Sequence, residues 1–143
     1  MKLVSDILKR KGAQVSSIDP SVMVLDALRM MEEKNIGSVV VVKDGIYQGI
    51  FTERDYSRKV ILKGRSSTTT TVGEIMDATF PKVNPSDSIE QCMELMSDNN
   101  IRYLPVFEED KLCGILSIND VVRETILAQK ETIDHLHTYI HSS

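Results

Sequence analysis

The sequence predicts an α+β chain made of two β-α-β-β-α units. Three observations lead there. The stretch Gly49-Ile50-Phe51-Thr52-Glu53-Arg54-Asp55 returns 65 residues later as Gly114-Ile115-Leu116-Ser117-Ile118-Asn119-Asp120. The same shift aligns Pro20-Ser21 with Pro85-Ser86, Asn35-Ile36 with Asn100-Ile101 and Val41 with Val106, without a gap. Each copy also carries a helical apolar stripe followed by two short β-rich runs. Self-similarity at a fixed period marks a repeated supersecondary unit, and units this small bury a smaller share of their surface and are marginal alone.

Taken in order, Val4-Ser5-Asp6-Ile7-Leu8 reads as a short helix or turn ending near Gly12. It is echoed by Val72-Gly73-Glu74-Ile75-Met76, so each unit is expected to have its own lead-in segment. Val15 to Ile18 is a strand, stopped by Asp19-Pro20 because proline fixes φ and lacks an N–H. Val24, Ala27, Leu28 and Met31 then fall at i, i+3, i+4 and i+7, the stripe of an amphipathic helix. Ile89, Cys92, Met93 and Met96 repeat it, and core packing accounts for the methionines. Both helices end at an asparagine, Asn35 or Asn100.

Val39-Val40-Val41-Val42 and Leu104-Pro105-Val106-Phe107 read as strands buried on both faces. The polar turns Lys43-Asp44-Gly45 and Glu108-Glu109-Asp110-Lys111 are short enough to imply antiparallel hairpins. The second strand of each hairpin runs into the repeated motif, and a helix follows. The first spans Asp55 to about Leu62 with Gly64 as its C-cap; the second runs on from Asp120. Arg65 to Thr71 is a polar surface linker. Val122, Ile126, Gln129, Ile133, Leu136 and Ile140 alternate spacings of 4 and 3, a seam for packing on the same chain or a partner. Residues 1–143 are read as one module: repeats at 12–64 and 77–130, a linker and lead-in at 65–76, and a helical extension at 131–143.

A formal net charge of −4 argues against nucleic-acid binding, which favours a basic excess. No apolar run approaches the roughly 20 residues of a membrane helix, and the N-terminus lacks the apolar stretch of a signal peptide. Cys92 and Cys113 have no metal-like spacing and read as buried thiols in a reducing compartment. The cytoplasm is the expected location.

Thr52-x-x-Asp55 and Ser117-x-x-Asp120 have the form of a helix N-cap with an acidic residue at N3. A cap alone explains both residues. The same place, where a buried strand ends and a helix begins, also favours an anion. Glycine permits close approach of backbone to ligand, and an aspartate can accept a ribose diol. Cations stand nearby in sequence: Arg54, Arg58, Lys59, Arg65 and Arg102. Solvent exposure explains Arg58 and Lys59, since charges stay at the surface. Arg102, between Ile101 and Tyr103 at the entry to a buried strand, is expected to need a partner.

On these residues the repeat resembles the CBS domain, and the tandem resembles a CBS pair, or Bateman module, over about residues 12 to 130. Ile18-Asp19-Pro20, Asn35-Ile36-Gly37-Ser38 and the first motif carry the resemblance in one unit. Val83-Asn84-Pro85, Ile101-Arg102-Tyr103-Leu104-Pro105-Val106 and the second motif carry it in the other. Glu53-Arg54-Asp55-Tyr56 through Arg58-Lys59 to Gly64-Arg65-Ser66-Ser67 is similar to a subgroup of small stand-alone pairs. The resemblance implies two repeats packed about a pseudo-twofold with their sheets together, adenine nucleotides in two clefts between them, and assembly into a dimer. It implies ribose contacts from Asp55 and Asp120, and ribose or phosphate contacts from Thr52 and Ser117. Arg102 falls where a basic residue faces phosphates, Gly37 and Ser38 would line the cleft, and Arg54 and Arg65 would be further phosphate contacts. Ile118-Asn119 replaces Glu53-Arg54 in the second motif, so the two sites should differ.

No phosphate-loop, zincin or nucleophile-elbow pattern is present, and His137 and His141 at i, i+4 suit a solvated helix end better than a metal. The expectation is a non-enzymatic regulatory module without catalytic cofactor or metal. It would bind AMP, ADP, ATP or NAD, sense energy or redox state, and control an unidentified partner protein through homodimer geometry. The alternative is a ligand-free dimerisation or interaction scaffold.

Overall fold

The computed structural model describes residues 1–12 and 14–142, with side chains described through residue 140. Elements run in the order α1 (Val4–Lys11), β1 (Ser17–Ile18), α2 (Val24–Lys34), β2 (Ser38–Lys43), β3 (Ile46–Thr52), α3 (Glu53–Asp55), a π-helical continuation (Tyr56–Ile61), α4 (Val72–Ile75), α5 (Ile89–Asn99), β4 (Tyr103–Glu108), β5 (Lys111–Ser117) and α6 (Ile118–Ser142). The mixed α+β class is as the sequence predicts.

Two compact units divide the chain, residues 14–80 and residues 1–13 with 81–143. Their make-up departs from the simple repeat. The lead-in α1 belongs with the second repeat, where the Val4 and Ser5 N–H groups donate to the Asp87 and Pro85 carbonyls at 2.9 and 3.0 Å. The lead-in α4 belongs with the first, where the Val72 and Gly73 N–H groups donate to the Val22 and Pro20 carbonyls at 2.8 and 2.9 Å. Each lead-in thus completes the repeat it does not precede. Val4 and Ile7 enter one core and Val72 and Ile75 the other. Burying such a side chain contributes about 1.5–3 kcal/mol, which fixes both short helices in place.

In the unit 14–80, β1 pairs parallel with β2, and β2 pairs antiparallel with β3. The core joins Val24, Ala27 and Met31 of α2 to Val39, Val41 and Phe51 of the sheet. In the other unit β4 and β5 form an antiparallel pair, and the expected leading strand shrinks to one parallel bridge from Val83 to Val106. The reason is local. In the first unit the Val40 N–H donates to the Ser16 carbonyl at 3.0 Å, but its equivalent in β4 is Pro105, which has no N–H to make that bond.

Asn35 and Asn100 end α2 and α5 with φ of 52° and 51°, the left-handed cap that asparagine tolerates. The hairpins carry matching bulges, after Val41 and after Val106. Met93, expected in the core stripe, is exposed, with its sulfur 3.6 Å from the Thr125 hydroxyl. The helix after the first motif is wound wider than expected: the Leu62 N–H bonds the Ser57 carbonyl, five residues back, before Gly64 ends the turn at φ 68°.

Candidate ligand-binding site

Each motif is built at the end of a hairpin strand. In the unit 14–80, Gly49 pairs with Val41 across the sheet. A Cβ at Gly49 would lie 2.6 Å from the Asp77 carbonyl oxygen. Ile50 and Asp77 exchange two backbone hydrogen bonds there, each 3.0 Å. In the second motif a Cβ at Gly114 would lie 2.6 Å from the Leu8 Cδ2. These glycines make room for the adjoining lead-in segments, which corrects the expectation that they admit a ligand.

Thr52 closes β3 and caps α3. Its N–H and hydroxyl donate to Asp55 Oδ2 at 2.9 and 3.1 Å, and the Asp55 N–H donates to Thr52 Oγ1 at 3.2 Å. Both residues are buried. The Lys59 Nζ stands 3.1 Å from Asp55 Oδ1 and donates to the Ile75 carbonyl at 3.0 Å. Both carboxylate oxygens are therefore engaged, and the pair satisfies itself inside the protein. Gly37 and Ser38 are brought to the same place. The Gly37 carbonyl accepts from the Glu53 N–H at 3.2 Å, and buried Ser38 lies opposite Thr52 in the sheet register.

Ser117 and Asp120 repeat the cap. The Ser117 N–H donates to Asp120 Oδ2 at 2.8 Å, and the Asp120 N–H donates to Ser117 Oγ at 3.1 Å. The cation differs. Lys11, at the end of α1, donates to Asp120 Oδ2 at 2.7 Å and to the Ile115 carbonyl at 3.0 Å. Among the described residues Asp120 Oδ1 accepts no hydrogen bond, although the side chain is only 11% exposed. Burial pushes the Asp120 carboxyl upward, but the Lys11 hydrogen bond and the Ser117 N–H outweigh it and hold it below the ordinary 3.8.

The cations named from sequence fall in different places. Arg54 is half-buried in the first turn of α3. The Arg65 guanidinium lies 2.8 Å from Glu74, whose other oxygen caps Thr71 at 2.7 Å. Arg102 does not enter the interior as expected. It sits just before β4, which starts at Tyr103, and is exposed, and among the described residues it carries no ion pair. Its carbonyl accepts the Ile118 N–H at 2.8 Å, the counterpart of the Gly37 bond. The side chain of His141 lies outside the described residues. Among the described residues no group of three or more His, Cys, Asp or Glu is placed to hold a metal, and no helix is long and apolar enough to cross a membrane.

Lys11 was not legible as a site residue, because it meets Asp120 across 109 positions of sequence. Glu124 was missed as well. It occupies the position equivalent to Lys59, is buried, and takes a two-pronged bond from Arg10 at 3.0 and 3.1 Å, with Lys2 at 3.8 Å. Lys59 had a signal, the i, i+4 spacing from Asp55.

A repeated hairpin, helix and capped aspartate define a tandem-repeat α+β fold, and comparison with known proteins gives its family. The CBS domain model matches residues 4–61 and 72–126. The chain belongs to the CBS domain family. It is 41% identical to the mitochondrial CBS domain-containing protein CBSX3 of Arabidopsis thaliana, over 96% of this chain and 71% of that one. The solved structure of a CBS-domain protein from Burkholderia ambifaria superposes with a TM-score of 0.86 at 44% identity, covering 90% of this chain and 96% of the other. The CBS domain pair of protein MJ0100, solved with 5′-methylthioadenosine and S-adenosyl-L-methionine, shares the fold at 23% identity, with a TM-score of 0.76 over 87% of this chain and 99% of that one.

Proposed function

We infer that the protein is a regulatory module that binds an adenosine-containing ligand, namely AMP, ADP, ATP or NAD. The carrying observation is Asp120, whose Oδ1 stays open while Oδ2 is fixed by Ser117 and Lys11. A carboxylate oriented through one oxygen, with the other free, suits the two hydroxyls of a ribose. Arg102 and Lys11 supply positive charge beside it for phosphate. In the first motif Asp55 takes the same role once Lys59 turns from the carboxylate toward phosphate, with Thr52, Ser38 and the Gly37 backbone as its surroundings and Arg54 as the second cation. Arg65 acts indirectly, holding Glu74 and so α4. Adenosine as the ligand class also draws on protein MJ0100, which carries two adenosine compounds on this fold.

The ligand acts by favouring one geometry of a homodimer over another, which changes affinity for a partner protein. Such a shift requires unequal affinity for the two geometries. The test is calorimetric titration of nucleotide-stripped protein with AMP, ATP and NAD in turn. Micromolar binding that Asp120→Ala weakens at least tenfold is expected. Binding unchanged in Asp120→Ala and Asp55→Ala would remove both carboxylates from the site. No heat with any of the three would leave the ligand-free scaffold.

A further inference from the structure

We propose that α6 pairs with the α6 of a second copy as a parallel, in-register two-stranded coil. The family model ends at residue 126, but the helix continues to Ser142. Residues 129 to 140 are exposed on every face. Several turns of helix exposed to water on all sides are marginal, so burying its apolar seam on a partner would stabilise this segment. Its aliphatic residues lie on one seam, with Ile133 64% and Leu136 57% exposed, and Tyr139 stands beside it.

The spacings of 4 and 3 place Ile126, Ile133 and Ile140 at one core position of a heptad, and Val122, Gln129 and Leu136 at the other. Isoleucine throughout the first position, with Leu136 at the second, is the arrangement that favours two parallel strands. Orientation follows from the residues beside the seam. In a parallel pair, Lys130 and His137 face Thr125 and Thr132 of the second copy, so no like charges meet. In the antiparallel pair that keeps the seam matched, Lys130 faces Lys130. The polar Gln129 separates the two as well. In the parallel pair it meets Gln129 of the second copy and each amide finds a partner; in the antiparallel pair it faces Ile133. A single polar layer of this kind sets register and orientation. Lys2 bonds Glu131 at 3.3 Å, off the seam, so α1 leaves the seam uncovered.

This deepens the functional reading by naming the surface on which the dimer is held. The test uses the full chain. Light scattering at tens of micromolar should give a dimer mass for the native protein and a monomer mass for Ile133→Asp, with unchanged circular dichroism from the two units. In a Cys113→Ser background, Gln129→Cys should form an intermolecular disulfide on mild oxidation and Lys130→Cys should not. A monomeric native protein, or a dimer that survives Ile133→Asp, would overturn the proposal. Cross-linking through Lys130→Cys in preference to Gln129→Cys would overturn the orientation. Nucleotide titration of Ile133→Asp keeps the readings apart: retained binding by a monomer leaves the ligand site standing whatever the outcome for the coil.

Discussion

Asp55 takes its ammonium from Lys59, four residues along its own helix, whereas Asp120 takes its from Lys11, at the end of a helix 109 residues away. The caps themselves are alike, a hydroxyl at N-cap and a carboxylate at N3. At the next equivalent position the units part company. Lys59 is a partly exposed cation on Asp55, but Glu124 is a buried anion gripped by Arg10 and Lys2. The first motif is self-sufficient, and the second is tied to α1 by Lys11, Arg10 and Lys2. One repeated sequence element therefore supports two arrangements, because a cap is satisfied by its own turn while the charge that balances its carboxylate can come from anywhere.

The motif glycines give the largest expected contrast. Gly49→Ala drives a methyl group into the Asp77 backbone carbonyl, which cannot move without breaking its bridge to Ile50. A cost of about 2–3 kcal/mol is expected, the range of overpacking against a rigid neighbour. Gly114→Ala meets only the tip of Leu8, which can turn aside; less than about 1 kcal/mol is expected. Urea unfolding of the two variants measures the difference, and equal losses would show that both lead-ins are equally rigid.

Glu124→Ala comes next. Removing one member of a fully buried pair costs about 3–5 kcal/mol. Arg10 is half exposed and can return to water, so about 2 kcal/mol is expected here. Increased proteolysis within α1 should accompany the loss. If cleavage there is unchanged, the Glu124 bonds do not hold the lead-in.

Lys11→Met should cost about 1 kcal/mol, that of a charge-assisted hydrogen bond near the surface. It also has a pH signature. The folded carboxyl of Asp120 lies below its ordinary value, so its contribution is complete above the usual carboxylate range and is lost as pH falls through the depressed value. Without Lys11 that loss should begin at higher pH, seen as an upward move of the acid-unfolding midpoint. Lys59→Met should be the mildest, about 0.5 kcal/mol, because the Lys59 side chain is more exposed than that of Lys11, at 42% against 32%. A larger effect from Lys59 than from Lys11 would invert the comparison.

Much of the fold was legible because its signals are short-range. The apolar stripes, the valine run and the positive-φ asparagines each declare an element within a few residues. Of the candidate site, the paired hydroxyl and aspartate were legible for the same reason. The shortened strand at Val83 could have been read from Pro105, which replaces Val40 and lacks its N–H, but the repeat alignment suggested a full counterpart to β1. Arg102 misled because its neighbours Ile101 and Tyr103 are apolar; at the turn into β4 the chain still points it outward.

The sequence by itself determined the repeat, the order of elements, the two caps and the exposed seam of α6, since each rests on contacts within about a turn of helix or one hairpin. Tertiary structure alone decided which lead-in completes which repeat, why Gly49 cannot carry a side chain, and which cation meets Asp120. Those contacts join segments far apart in the chain, and nothing in local periodicity distinguishes one distant partner from another until the cores have formed.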